Sequence, residues 1–251
     1  MRAPTSGASE LPNAAECDIF KKTFAVAGGL AAAVLAFSPL AQAGPLSSIT
    51  FNVTGWNAST PGSSISSLSQ QAIPTNPIIM GSNLFVTGTA TGLPNWYVSG
   101  STTNTFGNFV GGNGAGYGTT SAFNFHNGGS FSTVLSTSSF GSATLLQMTF
   151  TLANNDTMGT IVHDDGISIW NANNTLELVN SAGPTTAIGT AFNLSAGTYN
   201  LYYVEANGAP SELSFQNVTE APEPGALALF GAGLLGCALF IGRRRRMSRS
   251  I

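Results

Sequence analysis

The amino-acid sequence predicts an all-β fold, an antiparallel β-sandwich, that lies between two hydrophobic ends. The central part of the chain holds short β-branched and aromatic runs, and Gly, Asn, Ser and Pro residues separate these runs. No central segment sustains the apolar period of a helix. On these grounds we divide the chain into an N-terminal leader, residues 1–43, a sandwich domain, residues 44–219, and a C-terminal segment, residues 220–251.

The leader has the pattern of a secretory signal peptide. Two lysines precede the apolar stretch 23–37, which predicts an N-terminal signal helix. Ala41 and Ala43 then form a small-x-small cleavage site. We therefore expect the protein to be exported, with Gly44 as the first residue after cleavage.

Within the domain, seven short segments have the composition of strands and two have that of loops. The predicted loops are the Ser-, Thr-, Gly- and Asn-rich stretches 59–70 and 100–118. Several short strands with turn residues between them predict a sandwich. The predicted strands are Ile49–Thr54, Leu84–Thr89, Leu145–Leu152, Thr160–His163, Ile167–Trp170, Tyr199–Glu205 and Glu212–Val218.

The C-terminal segment has three parts in a fixed order. Pro222, Glu223 and Pro224 come first, and an uncharged apolar run, residues 225–242, follows them. At a rise of about 1.5 Å per residue the run is about 27 Å long, which predicts a transmembrane helix. Four arginines, which the positive-inside bias keeps cytoplasmic, complete the segment: Arg243, Arg244, Arg245 and Arg246.

This three-part end resembles the PEP-CTERM sorting signal, which an exosortase recognises and cuts in the bacterial inner membrane. The resemblance implies that exosortase and the secretion machinery are partners of the chain. It also implies a transient stage in the inner membrane through the C-terminal helix, cleavage close to Pro222–Pro224, and a final place at the cell surface or in the extracellular matrix.

Charge is distributed unevenly along the chain. All eight basic residues lie in the two ends, so residues 44–242 contain no lysine or arginine. This distribution excludes nucleic acid as a partner, because binding phosphates needs a basic face. Each carboxyl in this part must therefore be solvated, held by backbone N–H groups, protonated or bound to a metal ion. These carboxyls are Asp156, Asp164, Asp165, Glu177, Glu205, Glu212, Glu220 and Glu223.

One motif of the domain carries candidate ligands. The segment Asp164-Asp165-Gly166 joins two predicted strands, and the strand Tyr199–Glu205 follows an Ala-Gly pair before a loop leads to the last strand, Glu212–Val218. This arrangement resembles the protective-antigen-type (PA14) β-sandwich over roughly Gln147–Val218. In the adhesin branch of that family, two aspartates joined by a cis peptide hold a Ca²⁺ ion that also contacts sugar hydroxyls.

Carried over by position, the resemblance implies a calcium site in this chain. Asp164 and Asp165 would be the aspartate pair, and Asn207 would supply a side-chain amide ligand. The carbonyl groups of Ala209 and Ser211 would complete the set. Hard oxygen ligands of this kind suit Ca²⁺. The resemblance therefore implies that the domain binds carbohydrate, such as an extracellular polysaccharide.

The alternative for the motif is a structural turn. In that case the aspartates accept backbone N–H bonds and Gly166 supplies an unusual φ. Trp170 is either a stacking platform for sugar or a core residue. Two functional hypotheses follow: a calcium-dependent carbohydrate-binding module, or a structural matrix or surface-coat protein without a ligand site.

Catalysis is not predicted. His163 lies beside Asp164, and serines are plentiful, but neither residue type stands in a nucleophile-elbow or other catalytic pattern. Carboxyl pairs such as Asp165 with Glu205 are the residue types of glycoside hydrolysis, for which the distance between the two groups decides. We therefore expect a protein that is not an enzyme.

Overall fold

The structure is a computed structural model, and the residues that it describes are 44–45, 49–60, 62–111, 121–153, 156–220, 231 and 233–234. Strands dominate this part of the chain. Two 3-10 turns, Ser67–Gln70 and Gly81–Asn83, and one short helix, α1 (Phe106–Val110), interrupt them. The strands are β1 (Gly44–Pro45), β2 (Thr50–Ser59), β3 (Leu84–Thr91), β4 (Asn95–Val98), β5 (Ser121–Phe125), β6 (Ser142–Leu152), β7 (Thr157–Asp164), β8 (Gly166–Asn171), β9 (Glu177–Ser181), β10 (Ile188–Leu194), β11 (Gly197–Glu205) and β12 (Ser211–Glu220).

The strands form two antiparallel sheets. The larger sheet has the order β5-β3-β2-β6-β11-β8-β9. The smaller sheet has the order β1-β12-β7-β10, and β4 also pairs with β12, near the start of that strand. Every strand pair in both sheets is antiparallel. The prediction of an all-β antiparallel fold is confirmed.

The main core lies between the two sheets. In β2, Phe51 and Val53 are buried while Asn52 between them is exposed, as the two-residue period of a strand requires. The ring of Phe51 meets that of Phe215, from the smaller sheet, at a centroid distance of 5.8 Å. Contacts of this kind join the two sheets into a sandwich.

A second apolar cluster covers part of the outer face of the larger sheet. Residues 62–80, which we call the strap, contribute Ile65 and Ile78, and the sheet contributes Leu145 and Tyr202. The strap is also tied to the sheet by hydrogen bonds, because the Ala72 N–H donates to the Ala182 carbonyl at 2.8 Å. The part of the larger sheet beneath the strap is therefore buried on both faces.

The sequence did not predict five of the strands: β1, β4, β5, β9 and β10. β5 and β9 are the two edges of the larger sheet, and β10 is an edge of the smaller one. Edge strands bury few side chains: only two of the seven residues of β10, Phe192 and Leu194, are buried. Their apolar pattern is correspondingly weak.

The predicted loop 100–118 contains the helix α1, so the prediction was wrong for that part. The Thr105 side chain caps the helix by accepting a hydrogen bond from the Asn108 N–H at 3.3 Å. Phe106 and Phe109 are fully buried. With five residues the helix is too short to show a helical period. The other predicted loop, 59–70, includes the 3-10 turn Ser67–Gln70.

Few residues of the two predicted hydrophobic segments are described by the structure. The predicted signal helix lies outside the described residues, and so does most of the predicted transmembrane run 225–242. Three positions of that run are described, Gly231, Gly233 and Leu234, and they are helical. Within the described part of the chain, no helix has the length and apolar character needed to cross a membrane.

Candidate functional site

The Asp164-Asp165-Gly166 segment carries the chain from one sheet to the other. Asp164 ends β7 in the smaller sheet, and Gly166 begins β8 in the larger one. The peptide bond between Asp164 and Asp165 is cis, as the resemblance implies. Gly166 does not have a positive φ. Its lack of a side chain is needed because a Cβ atom would collide with the Ala182 carbonyl oxygen.

Asp165 is fully buried, and its two carboxyl oxygens have different surroundings. Oδ2 accepts hydrogen bonds from the Ala206 N–H at 2.7 Å and the Asn207 N–H at 3.1 Å. Oδ1 is buried without a hydrogen-bond partner. Burial raises the pKa of Asp165, and the two bonded N–H groups oppose this shift. The Thr185 backbone N–H also opposes this shift.

Asp164 lies beside this carboxyl and is only 4 % exposed. Burial and the neighbouring Asp165 charge raise the pKa of Asp164 to about 7. Glu212, which stands opposite Asp164 on the neighbouring strand β12, adds to this rise. The turn therefore holds two closely spaced carboxyls in surroundings that disfavour their charged forms.

Glu205, the last residue of β11, is a third buried carboxyl at this end of the domain. Its Oε1 accepts hydrogen bonds from the Ser136 hydroxyl at 2.5 Å and from the Asn104 side-chain amide at 3.1 Å. The Ser136 hydroxyl oxygen also accepts a bond from the Gly208 N–H at 2.9 Å. We call Asp164, Asp165 and Glu205 the carboxyl cluster.

Tyr203 connects Glu205 to the aspartate turn. Its hydroxyl lies 2.5 Å from the Asp164 carbonyl oxygen and 2.8 Å from Glu205 Oε2. A hydroxyl has a single proton, so both contacts are hydrogen bonds only when the Glu205 carboxyl is protonated and donates to Tyr203. Burial, followed by the charge of Asp165, raises the pKa of Glu205 well above its ordinary value, in agreement with this arrangement.

His163 is fully buried beneath the turn. Its Nδ1 lies 2.5 Å from the Asp165 carbonyl oxygen, and its Nε2 lies 2.7 Å from the Thr190 hydroxyl. Because a carbonyl oxygen only accepts, Nδ1 carries the proton and donates it, and Nε2 accepts from Thr190. Burial lowers the pKa of His163 and favours this neutral form. The imidazole ring therefore holds the aspartate turn by a hydrogen bond to the main chain of the turn.

The structure brings some of the predicted ligands together. Asn207 meets Asp165 through its backbone N–H, and its side chain is partly exposed. Ala209 is followed by Pro210 with a cis peptide bond between them. Ser211 is fully buried, and its hydroxyl donates to Asn104 Oδ1 at 2.9 Å. Among the described residues, no three His, Cys, Asp or Glu side chains are grouped as metal ligands.

Trp170 belongs to the packed part of the domain. It is partly buried against the second apolar cluster, and its indole N–H donates to the Ser168 hydroxyl at 2.8 Å. Of the two alternatives for this residue, the core position agrees with its contacts.

Sequence reasoning missed the hydrogen-bond network around Glu205. Asn104 and Glu205 are 101 residues apart in the chain, so no local motif joins them. One signal was present: β11 is continuously buried from Tyr199 to Glu205, and Glu205 is the one charged residue in that run. A carboxyl at the end of a buried strand, in a domain without lysine or arginine, requires neutral hydrogen-bond donors or a proton.

Two PA14 domains are among the solved structures that are similar to this chain. The first, described as a PA14 sugar-binding domain from an RTX adhesin, has 12 % sequence identity and a TM-score of 0.40, and the similarity covers 68 % of this chain and 98 % of that one. The second is the PA14 domain of the MpAFP antifreeze protein, with 10 % identity, a TM-score of 0.38, and coverage of 72 % and 92 %. No curated protein matches the sequence.

A family comparison identifies the C-terminal segment. Residues 220–246 match the family described as the PEP-CTERM protein-sorting motif. The matched range includes the Pro222–Pro224 motif and all four consecutive arginines. This match confirms the predicted PEP-CTERM sorting motif, which implies processing by an exosortase, and it indicates an exported protein that is sorted to the cell surface. The chain therefore carries a PEP-CTERM sorting signal at residues 220–246.

Proposed function

We propose that this protein is a surface module that binds carbohydrate through a Ca²⁺ ion at the Asp164–Asp165 turn. The observation that carries the proposal is Asp165 Oδ1, a fully buried carboxyl oxygen without a hydrogen-bond partner. Leaving such an atom unsatisfied is costly, and a bound cation would satisfy it.

The local charges support a cation at this position. Residues 44–242 contain no lysine or arginine that could neutralise Asp164 and Asp165. Both carboxyls have raised pKa values, so a proton or a metal ion is the natural counter-charge. A divalent ion with a preference for oxygen ligands fits this donor set, and Ca²⁺ accepts six to eight such ligands at about 2.3 to 2.6 Å.

The remaining ligands would come from the loop that follows β11. Asn207 would contribute its partly exposed side-chain amide, and Ala209 and Ser211 would contribute carbonyl oxygens. Because these groups and the aspartates do not fill the coordination shell of Ca²⁺, vicinal hydroxyls of a sugar would complete it. In this role the ion holds the sugar, and the exported domain attaches its cell to a polysaccharide.

The first test measures the melting temperature of the purified protein with and without millimolar Ca²⁺. A ligand that binds only the folded state stabilises it by about 2.7 kcal/mol when its concentration is a hundred times the Kd. We expect the melting temperature to rise with Ca²⁺, and we expect Asp165→Asn to abolish most of the rise. An unchanged melting temperature in the wild-type protein would contradict the proposal.

Glu177→Gln is the matched control for this test. Glu177 lies on the edge strand β9, where its Oε2 accepts a hydrogen bond from the Asn180 amide at 2.9 Å. The substitution removes one negative charge, as Asp165→Asn does, but not at the turn. The calcium-dependent rise should therefore persist in this variant. Its loss would indicate a general charge effect.

A structural matrix or surface-coat protein is the second candidate. The observation in its favour is that Asp165 Oδ2 already ties the turn to Ala206 and Asn207 without a metal ion. In this case the turn is a fixed structural element. Calcium would then leave the melting temperature unchanged, whereas Asp165→Asn would still lower it.

A further inference from the structure

A cleft lined by hydroxyl groups lies beside the aspartate turn. Its volume is about 540 Å³, which falls in the usual range of ligand sites, about 300 to 1,000 Å³. Two chain segments line it: one begins at the last residue of β2, and the other precedes β6. Besides Gly62 and Gly141, the lining consists of six hydroxyl residues: Ser59, Thr60, Ser63, Ser64, Thr137 and Ser139.

One loop of the cleft contacts the loop that is bonded to the aspartate turn. Thr137 and Ser139 line the cleft, and Ser138 between them lies against Gly208. A Cβ atom on Gly208 would come within 2.9 Å of the Ser138 nitrogen, and the φ of Gly208 is +92°. Glycine is therefore needed there, and it allows the two loops to touch. Asn207, which meets Asp165, directly precedes this glycine.

Backbone hydrogen bonds hold the two sides of the cleft in place. The Thr60 N–H donates to the Gly141 carbonyl at 2.8 Å, and the Ile65 N–H donates to the Phe140 carbonyl at 2.8 Å. Phe140 has a φ of +55°, a left-handed conformation that is uncommon for an aromatic residue. Such a conformation persists only where its surroundings fix it. The two sides of the cleft are therefore fixed relative to each other, and its lining side chains are exposed to solvent.

The side chains that line the cleft indicate which class of ligand would fit it. No charged side chain is present in it, so neither an anion nor a cation is favoured. Several hydroxyls already donate inside the protein: Thr60 bonds the Ser63 carbonyl at 3.0 Å, and Ser64 bonds the Ser139 carbonyl at 3.1 Å. Their oxygens still have lone pairs that accept hydrogen bonds. A neutral ligand with many hydroxyl groups matches this lining.

We propose that this cleft is a second subsite, which binds the next sugar units of a neutral oligosaccharide whose end is held at the aspartate turn. The inference rests on the proposed function, because the turn must hold the first sugar. It adds that the ligand is a chain and that the protein recognises its length. A charged or single sugar would leave the cleft unused.

The test compares sugar chains of different length. The purified protein is applied, in millimolar Ca²⁺, to an array of neutral mono-, di- and trisaccharides of the common hexoses. The strongest trisaccharide and its terminal monosaccharide are then titrated by calorimetry. We expect the trisaccharide to bind at least about tenfold more tightly.

Variants separate this inference from the proposed function. Ser139→Tyr should block the cleft and reduce the affinity for the trisaccharide to that for the monosaccharide, with the calcium-dependent rise in melting temperature unchanged. Ser132→Tyr, in an exposed part of the same loop, should keep the preference for the trisaccharide. Equal affinities in the wild type, or an unchanged preference in Ser139→Tyr, would overturn the inference alone. If no sugar on the array binds, both the proposed function and this inference are overturned.

Discussion

Two neighbouring regions of this domain are built in opposite ways. The carboxyl cluster is buried and polar, and Asp165 and Glu205 in it each accept two or more hydrogen bonds. The phenylalanine cluster is apolar and consists of Phe85, Phe106, Phe123, Phe125 and Phe131.

A ring contact links α1, the helix that carries Phe106, to the residue that bonds the carboxyl cluster. Phe109 of α1 stacks on Tyr203, with the centroids 5.3 Å apart, and Tyr203 holds the Asp164 carbonyl and Glu205. The phenylalanine cluster stabilises the fold by burial, which does not depend on pH or ions. The carboxyl cluster makes stability depend on protons and, under our proposal, on Ca²⁺. The two clusters therefore have different roles: the phenylalanine side chains contribute most to stability, and the carboxyl side chains make stability depend on pH and on Ca²⁺.

The largest effect is expected from Phe106→Ala. Phe106 is fully buried and meets the rings of Phe85 and Phe123 at 5.4 and 5.0 Å. Truncation of a buried phenylalanine costs about 3 to 5 kcal/mol. Urea unfolding should show a loss of this size at both pH 5 and pH 8. A loss that differed strongly between the two would contradict the separation of the two regions.

The next effect is a fall in wild-type stability with rising pH in calcium-free buffer. The pKa values of Asp164, Asp165 and Glu205 are raised by burial, so the native state retains protons that the unfolded chain has released. Their stabilisation is complete below the unfolded value near 4 and is lost as pH rises through the native value, about 7 for Asp164. Unfolding free energies should fall by about 2 to 4 kcal/mol between pH 5 and pH 8. A rise over that range would contradict this account.

Glu205→Gln should reduce that pH dependence. The amide can donate to the Tyr203 hydroxyl and accept from Ser136, as the protonated acid does, but it cannot ionise. We expect little change at pH 5 and about 1 kcal/mol higher stability than wild type at pH 8. The same urea series measures it. A variant that is equally destabilised at both pH values would show that Glu205 is held as a carboxylate.

The smallest effect is expected from Glu212→Gln. Glu212 is partly exposed, and its charge raises the pKa of Asp164 from the neighbouring strand. Its removal should lower the pKa of Asp164 slightly and stabilise the protein at pH 8 by a few tenths of a kcal/mol, about the size of an exposed charge interaction. An NMR titration of the Asp164 carboxyl carbon measures the shift. An unchanged or higher pKa would exclude Glu212 as a contributor.

The comparison also separates what the sequence could predict from what it could not. The strands that carry the carboxyl cluster were predicted, because β7, β8, β11 and β12 have strong β-branched and aromatic runs with turn residues between them. The phenylalanine cluster was not, because Phe106 and Phe131 stand in stretches rich in Ser, Gly and Asn. Aromatic residues inside such a stretch form a core only when the fold brings them together.

The sequence predicted only part of the candidate site. Asp164 and Asp165 are adjacent in sequence, so a motif could identify them. Ser136 and Asn104 reach Glu205 from loops that are far away in sequence, and no spacing rule predicts such contacts. The sequence did limit the possibilities, because a domain without lysine or arginine must satisfy its buried carboxyls by other means.

The pairing of β1 with β12 determines where the two chain connections lie relative to the aspartate turn. Gly44 pairs with Glu220, so the first and the last residue of the sandwich lie at the same corner of the domain. Asp164 pairs with Glu212 near the opposite end of β12, and ten residues of strand span about 30 Å. The aspartate turn therefore lies at the end of β12 that is farther from both chain connections.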